Sequence, residues 1–234
     1  MNNSKTKWTD AISACVENGE RILDDAKYLN DLERFPSAYV FGILAQEEFA
    51  KAYLLKLVDV GAIPMCDEVL RACRHHRCKH LIALVMEHLF TPPEDYGSRN
   101  SRVRDGSDFH LPAHVADALN IFCHEKLRTW HLERRNAGFI SDQSYDKTAK
   151  RTADGALDKL KQNALYVGMG PNGVTSTPHC TSDDAGKAIE TAEMLSDVAR
   201  GGDVWAFDEK VIIQEGLKVI LDQLRTDAIQ ASFS

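Results

Sequence analysis

Apolar side chains recur every three or four residues along most of this chain, which is the spacing of one face of an α-helix. The clearest example is residues 35–55, a nearly uncharged run whose only charged side chains are Glu47, Glu48 and Lys51. The apolar stripe of this helix continues directly through those charged positions. Because a buried charge is costly unless it is paired, the pattern predicts either a functional site or an internal salt bridge.

The helical period predicts an all-α fold, an antiparallel helical bundle. The predicted helices are residues 8–32, 37–60, 80–90, 113–135, 145–165, 185–199 and 208–228. Thr181 or Ser182, followed by two aspartates, predicts the N-cap of the sixth helix. Residues 91–111 have little periodicity and are interpreted as a long loop, a candidate lid or partner-docking element. No run is interpreted as a β-strand.

The length of 234 residues suits one domain. We expect a helical domain over residues 1–200 and a C-terminal helical extension, residues 201–234, packed on it. The net charge of −7 argues against a protein that coats nucleic acid non-specifically, so any basic site must be local. Because the first ten residues lack the apolar core of a secretory signal, and no apolar run is long enough to span a membrane, we expect a cytoplasmic protein with reduced cysteines.

A basic segment at residues 71–80 contains no acidic residue. Its cations and histidines are Arg71, Arg74, Arg77, Lys79, His75, His76 and His80. In an otherwise acidic chain this segment predicts an anion site, with a phosphate backbone as the obvious anion. A histidine among cations favours its neutral form, as a general base near pH 7 requires. The alternative is a solvated basic turn before a helix.

Zinc ligand types also occur in this segment, but their spacing is not Cys-x2-Cys and four cations would oppose a dication. No Glu-x-x-His motif supports a di-iron bundle. We therefore expect no metal and no cofactor. Lys161 and Tyr166 form a further candidate, at the end of the predicted fifth helix and before a glycine-rich connector. Tyr166 could instead simply close the end of that helix.

Three motifs occur in one order: Ala45-Gln-Glu-Glu-Phe-Ala-Lys51, then His76-Arg-Cys-Lys79, then Lys161-x4-Tyr166-Val167. In this order they resemble the AbiV-type abortive infection proteins, a bacterial anti-phage branch of the HEPN superfamily. The resemblance covers about residues 8–199. It implies an all-α HEPN bundle that works as a homodimer, with a cleft at the dimer interface.

The resemblance implies an anti-phage protein, a metal-independent ribonuclease that cleaves RNA or otherwise shuts down translation on infection. RNA is then the expected substrate and a phage-encoded protein the expected activator. The usual HEPN signature, Arg-x4–6-His, is missing from the late core helix, where Lys161 and Tyr166 stand instead. Whether the chain is an endoribonuclease is therefore left open, and the alternative is an inactive HEPN domain that binds a phage protein, RNA or a nucleotide.

A chemical hypothesis assigns roles to the candidate residues. His76 is the candidate base or acid, and Lys51 and Lys79 would bind phosphate or stabilise its developing charge. Glu47 or Glu48 would orient Lys51 or His76. The expected substrate-binding residues are Arg71, Arg74, Arg77, His80, Lys161 and Tyr166.

Overall fold

The chain folds mainly into α-helices, which confirms the predicted all-α class. The computed structural model describes residues 3–59, 61, 65–90, 114, 146–171, 173–176 and 179–200. In chain order the elements are α1 (Asn3–Asp31), α2 (Phe35–Asp59), α3 (Asp67–Arg74), α4 (His76–Phe90), α5 (Lys147–Ala153), α6 (Ala156–Leu165), β1 (Gly168–Gly170), β2 (Gly173–Ser176) and α7 (Ser182–Arg200). The predicted loop 91–111, helix 208–228 and extension 201–234 lie outside the described residues, as does all of predicted helix 113–135 except residue 114.

Helix α2, the apolar helix of the sequence, is the centre of the fold. It packs against α1 along its length and also contacts α4, α6 and α7. Consecutive residues such as Tyr53, Leu54 and Leu55 are all buried, so α2 is enclosed on every side and not on one face alone. This enclosure explains why the sequence of α2 is almost continuously apolar.

Small residues let the neighbouring helices approach α2 closely. Gly19 of α1 lies against the buried ring of Phe49, and Gly42 lies against the backbone of Ala188 in α7. Beside Gly42, the amide Nε2 of Gln46 donates a hydrogen bond to the carbonyl oxygen of Ala188 at 2.8 Å. These contacts fix the position of α2 along its axis relative to α1 and α7. They thereby also fix the position of Glu47, the residue that follows Gln46.

Four predicted elements differ from the structure. The predicted helix 8–32 begins earlier, at Asn3, and is α1. The predicted helix 80–90 also begins earlier, at His76, and is α4, which follows the short helix α3. The predicted helix 145–165 is divided into α5 and α6 at Gly155, which has a φ of 71°. The expectation of no strand is wrong, because β1 and β2 form an antiparallel hairpin in the connector before α7.

The predicted N-cap of the sixth helix is confirmed at Thr181. Its Oγ1 accepts a hydrogen bond from the backbone N–H of Asp184, and the carboxylate of Asp184 accepts one from the backbone N–H of Thr181. This reciprocal pairing satisfies two donors at the start of α7. None of the helices described has both the length and the apolar character to cross a membrane.

Candidate functional site

Six polar side chains from three helices meet at the charged position of α2. We call them the Glu47 cluster: Glu47 of α2; His76, Lys79 and His80 of α4; and Asp158 and Lys161 of α6. Lys79 and His80 follow His76 by three and four positions, and Lys161 follows Asp158 by three, so each set lies on one side of its helix. The cluster is therefore assembled by the packing of α4 and α6 against α2.

The carboxylate of Glu47 is the centre of the cluster and is only 1% exposed. Its Oε1 accepts a hydrogen bond from Nζ of Lys161 at 2.5 Å. Its Oε2 lies 2.5 Å from Nζ of Lys79 and 2.7 Å from Nδ1 of His76. Both oxygens are thus bound by cationic or polar donors, as a buried carboxylate requires.

These contacts keep Glu47 ionised. Burial raises the pKa of this carboxyl group, but the hydrogen bonds from Lys161 and Lys79 outweigh burial and lower its pKa from 4.5 to about 2. Glu47 is therefore a fixed negative charge at neutral pH. A group that stays charged orients its neighbours and does not itself exchange protons.

His76 is the member of the cluster that reaches the surface, with 53% of its side chain exposed. An ionised carboxylate can only accept hydrogen bonds, so the Nδ1 atom that faces Glu47 must carry the proton. In the neutral ring this leaves Nε2 with a free lone pair, on the edge of the imidazole away from the buried carboxylate. A carboxylate that fixes the tautomer in this way prepares a histidine to act as a general base.

His80 and Asp158 lie on the other side of Glu47. Nε2 of the fully buried His80 is 3.5 Å from Oε1 of Glu47 and 3.6 Å from Oδ1 of Asp158. Among the residues that the structure describes, neither ring nitrogen of His80 has a hydrogen-bond partner. The nearby imidazole of His80, and then the ammonium of Lys161 at 3.1 Å, hold the pKa of Asp158 below its usual range.

The charges of the cluster are balanced when both histidines are neutral, because two carboxylates face two ammonium groups. Lys79 and Lys161 are both buried, so their charges act on Glu47 and Asp158 and are largely hidden from solvent. A substrate phosphate would therefore meet the exposed edge of His76 and the cations of the basic segment around it. Arg71 and Arg74, which are exposed on α3, are such cations.

Arg77 has a structural contact of its own. A Cβ atom on Gly155 would lie 2.8 Å from Nε of Arg77, so the absence of a side chain lets the guanidinium lie against the turn between α5 and α6. Because Gly155 is in the left-handed conformation that glycine favours, this turn can both redirect the chain and accept Arg77. The contact holds the start of α6 beside α4, where Asp158 and Lys161 reach the cluster.

The structure separates the two adjacent glutamates of α2. Glu48 binds Lys51 at 2.7 Å, three residues along the same helix, and both side chains are partly exposed. Burial lowers the pKa of Lys51, but the hydrogen bond that Lys51 donates to Glu48, together with the negative charge of that carboxylate, raises the pKa above its ordinary value. Within the part of the chain that the structure describes, Lys51 forms an ion pair with Glu48 and not with Glu47. Glu47 is thus the carboxylate that contacts the basic segment.

The remaining predicted residues differ in how accessible they are. His80 and Lys161, expected to bind substrate, are buried and instead contact the carboxylates of the cluster. Tyr166 is 66% exposed at the end of α6, next to the exposed Leu165 and Val167. In this conformation Tyr166 belongs to a surface stretch and is not part of the Glu47 cluster.

Asp158 is the one member of the cluster that the sequence analysis does not single out. Its signal is present, because an acid three residues before a lysine forms a pair on one helix face. Such pairs are common on solvated helices, however, and nothing local distinguishes this one. Glu47, His80 and Asp158 are also metal-ligand residue types, and one ligand atom from each lies within 4.8 Å of the other two.

Comparison with protein-family models found a match to HEPN_AbiV, described as AbiV, over residues 7–197. The matched range includes every residue of the Glu47 cluster. Comparison with curated proteins found no match, and neither did comparison with solved structures.

Proposed function

Because the chain belongs to the AbiV family of HEPN proteins, we propose that it is a bacterial anti-phage protein that cleaves RNA as part of an abortive-infection response. The observation that carries the proposal is the pairing of a buried, ionised Glu47 with the exposed His76. This pair supplies an oriented base at the protein surface. The exposed arginines of the adjacent basic segment supply sites for a phosphate backbone.

In the proposed reaction, Nε2 of His76 takes the proton from a ribose 2′-hydroxyl. The 2′ oxygen then attacks the neighbouring phosphorus and forms a 2′,3′-cyclic phosphate. The bond to the 5′ oxygen of the next nucleotide breaks, and that oxygen takes up a proton from solvent. Glu47 stabilises the imidazolium that forms, and Arg71 and Arg74 stabilise the negative charge that develops on the phosphate.

The direct test is degradation of labelled tRNA, rRNA and mRNA by the purified full chain in the presence of EDTA. We expect His76→Gln to reduce cleavage by about 100-fold or more, the usual contribution of a general base. His75→Gln is the matched control, because His75 is the adjacent exposed histidine and lies outside the Glu47 cluster. The assignment is wrong if His76→Gln cleaves as fast as the wild type.

Family membership also supports two proposals about assembly. We propose that the chain works as a homodimer and that a phage-encoded protein activates it in the cytoplasm. Light scattering of the purified chain tests the first, with a molecular mass of 52 kDa for a dimer of two 26.1 kDa chains. Infection of cells that carry the wild-type or His76→Gln chain tests the second, since only the wild type should arrest growth.

A second candidate function, nucleotide binding without cleavage, is favoured by a cavity of about 460 Å³ between α2, α4, α5, α6 and the start of α7. This volume is in the range of small-molecule sites. Its lining combines apolar, basic and acidic side chains, among them Ile43, Leu84, Leu160, Lys147, Arg151, Lys187, Glu87 and Asp184. If the chain binds a nucleotide here, AMP or ATP should raise the melting temperature of the wild type and of the control Arg21→Glu, but not that of Arg151→Glu. RNA should stay intact.

A further inference from the structure

Three side chains of the Glu47 cluster have the arrangement of a metal-binding set. Nε2 of His80 lies 3.5 Å from Oε1 of Glu47 and 3.6 Å from Oδ1 of Asp158. Ligand atoms at 2.0 to 2.1 Å from a tetrahedral zinc ion are separated by about 3.3 to 3.4 Å. The spacing around His80 is therefore close to that of a ligand set before any movement of the side chains.

The ring nitrogens of His80 are buried and unpaired among the described residues. The side chain is buried, and within the described ranges neither Nδ1 nor Nε2 has a hydrogen-bond partner. A buried polar group without a partner is unfavourable and requires an explanation. Its Nε2 is directed at the two carboxylates, where a shared cation would satisfy all three groups.

The chain places its own cation beside this set. Nζ of Lys161 lies 2.5 Å from Oε1 of Glu47 and 3.1 Å from Oδ1 of Asp158, the same two oxygens that would bind a metal ion. Lys79 binds the other oxygen of Glu47 and so orients the carboxylate, as outer hydrogen bonds do for metal ligands. The ammonium of Lys161 thus bridges two acids and neutralises them.

We propose that Glu47, His80 and Asp158 form a metal-binding site. The ammonium of Lys161 occupies the place of the divalent metal ion in this site and prevents a metal ion from binding. The lysine supplies permanently the positive charge that a metal ion would supply only when bound. Removing the ammonium leaves the buried carboxylate of Glu47, the partly exposed carboxylate of Asp158 and the imidazole of His80, which is the ligand chemistry that Zn²⁺ and Co²⁺ accept. This inference does not depend on RNA cleavage.

The test is a titration of the full chain with Co²⁺, followed by its visible absorption, and with Zn²⁺ by calorimetry. The variant is Lys161→Met, which keeps the length of the apolar stem and removes the charge. Lys159→Met is the matched control, because Lys159 is an exposed lysine on the same helix. We expect Lys161→Met to bind one metal ion at least about 100-fold more tightly than the wild type or the control, since a positive charge next to the metal is removed.

A second substitution identifies the site. Asp158→Asn added to Lys161→Met should abolish the tight binding and the Co²⁺ spectrum. The proposal is overturned if Lys161→Met binds no more tightly than the wild type, or if its spectrum survives the loss of Asp158. Should Lys161→Met be unfolded without metal, refolding on addition of Zn²⁺ supports the proposal, and failure to refold with Zn²⁺ overturns it.

Discussion

Replacing Glu47 with glutamine is the sharpest perturbation of the cluster, because it removes one charge and keeps the shape of the side chain. The three donors on the carboxylate come from Lys161, Lys79 and His76. A glutamine has one acceptor oxygen and one NH₂ group, so its nitrogen must face a donor on one side. The two lysines are buried, and each loses the negative charge that compensates its own.

The loss of stability follows from the pKa shift of Glu47 and from the usual cost of breaking a buried ion pair. The pKa of Glu47 falls from 4.5 to about 2 on folding, which corresponds to about 3 kcal/mol of stability at pH 7. Breaking a buried ion pair by removing one partner costs about 3 to 5 kcal/mol. We therefore expect Glu47→Gln to lower the free energy of unfolding by about 3 kcal/mol at pH 7. For a chain of this size the melting temperature should fall by about 6 to 12 °C.

The pH dependence follows from the direction of the pKa shift. Because the folded-state pKa is lowered, the contribution of Glu47 is complete above pH 4.5 and is lost as the pH falls toward 2. The difference between wild type and Glu47→Gln should therefore shrink from about 3 kcal/mol at pH 7 to about 1 kcal/mol at pH 3. Urea unfolding of both proteins at the two pH values measures it.

Glu48→Gln is the matched control, since Glu48 is the neighbouring residue and forms a partly exposed pair with Lys51. Its loss should cost no more than about 1 kcal/mol. An effect of Glu47→Gln as small as that of Glu48→Gln, or one that is equal at pH 7 and pH 3, would show that the charge of Glu47 does not stabilise the fold.

Three further predictions concern the scaffold and are measured by urea or thermal unfolding. Gly19→Ala places a Cβ atom 2.6 Å from the Phe49 ring and should destabilise the fold by about 1 to 3 kcal/mol. At Gly186 an added Cβ meets no described atom within 4 Å, so Gly186→Ala should stabilise the helix by about 0.5 to 1 kcal/mol, and equal effects of the two substitutions would contradict the packing. Thr181→Ala removes the N-cap of α7 and should lower the free energy of unfolding by about 1 kcal/mol. An unchanged free energy of unfolding would show that this N-cap does not stabilise the helix. Burial raises the pKa of Glu87 to about 7, so the stability of the wild type should fall as the pH rises from 4.5 to 7. Glu87→Gln should be as stable as the wild type at pH 4 and more stable by about 1 to 3 kcal/mol at pH 8. A stability difference that is the same at both pH values would show that burial of the carboxylate is not the cause.

The course of the helices could be predicted from the sequence where a periodic apolar face exists. Helix α2 is the best case, because burial on all sides leaves an almost uncharged run in which Glu47 stands out. The hairpin has no such pattern, since β1 is Gly-Met-Gly and the residues of β2 whose exposure the structure describes are exposed. Its local signal is the run of turn formers Gly170-Pro-Asn-Gly173, whose two glycines are the paired residues that end β1 and begin β2.

The membership of the cluster depends on contacts that local patterns do not contain. The sequence predicts that His76 and Lys79 lie on one helix face. It also predicts that a buried glutamate needs cationic partners. Which cations meet Glu47 is decided by the packing of α6, whose Lys161 is 114 positions away. From the sequence alone, Lys51 is therefore a more obvious partner for Glu47 than Asp158 is a member of the cluster, because Lys51 follows Glu47 by four residues on the same helix. In the structure, however, Lys51 binds Glu48.

This separation of 114 residues also bears on how the protein is made. A growing chain that has passed α4 already contains Glu47, His76 and Lys79, but it lacks Asp158 and Lys161 until α6 has been synthesised. In such a nascent chain one oxygen of the buried carboxylate has no ammonium partner, and His76 is held less firmly. The cluster is therefore complete only late in translation, a timing that would keep a protein proposed to attack RNA from doing so on the ribosome that makes it.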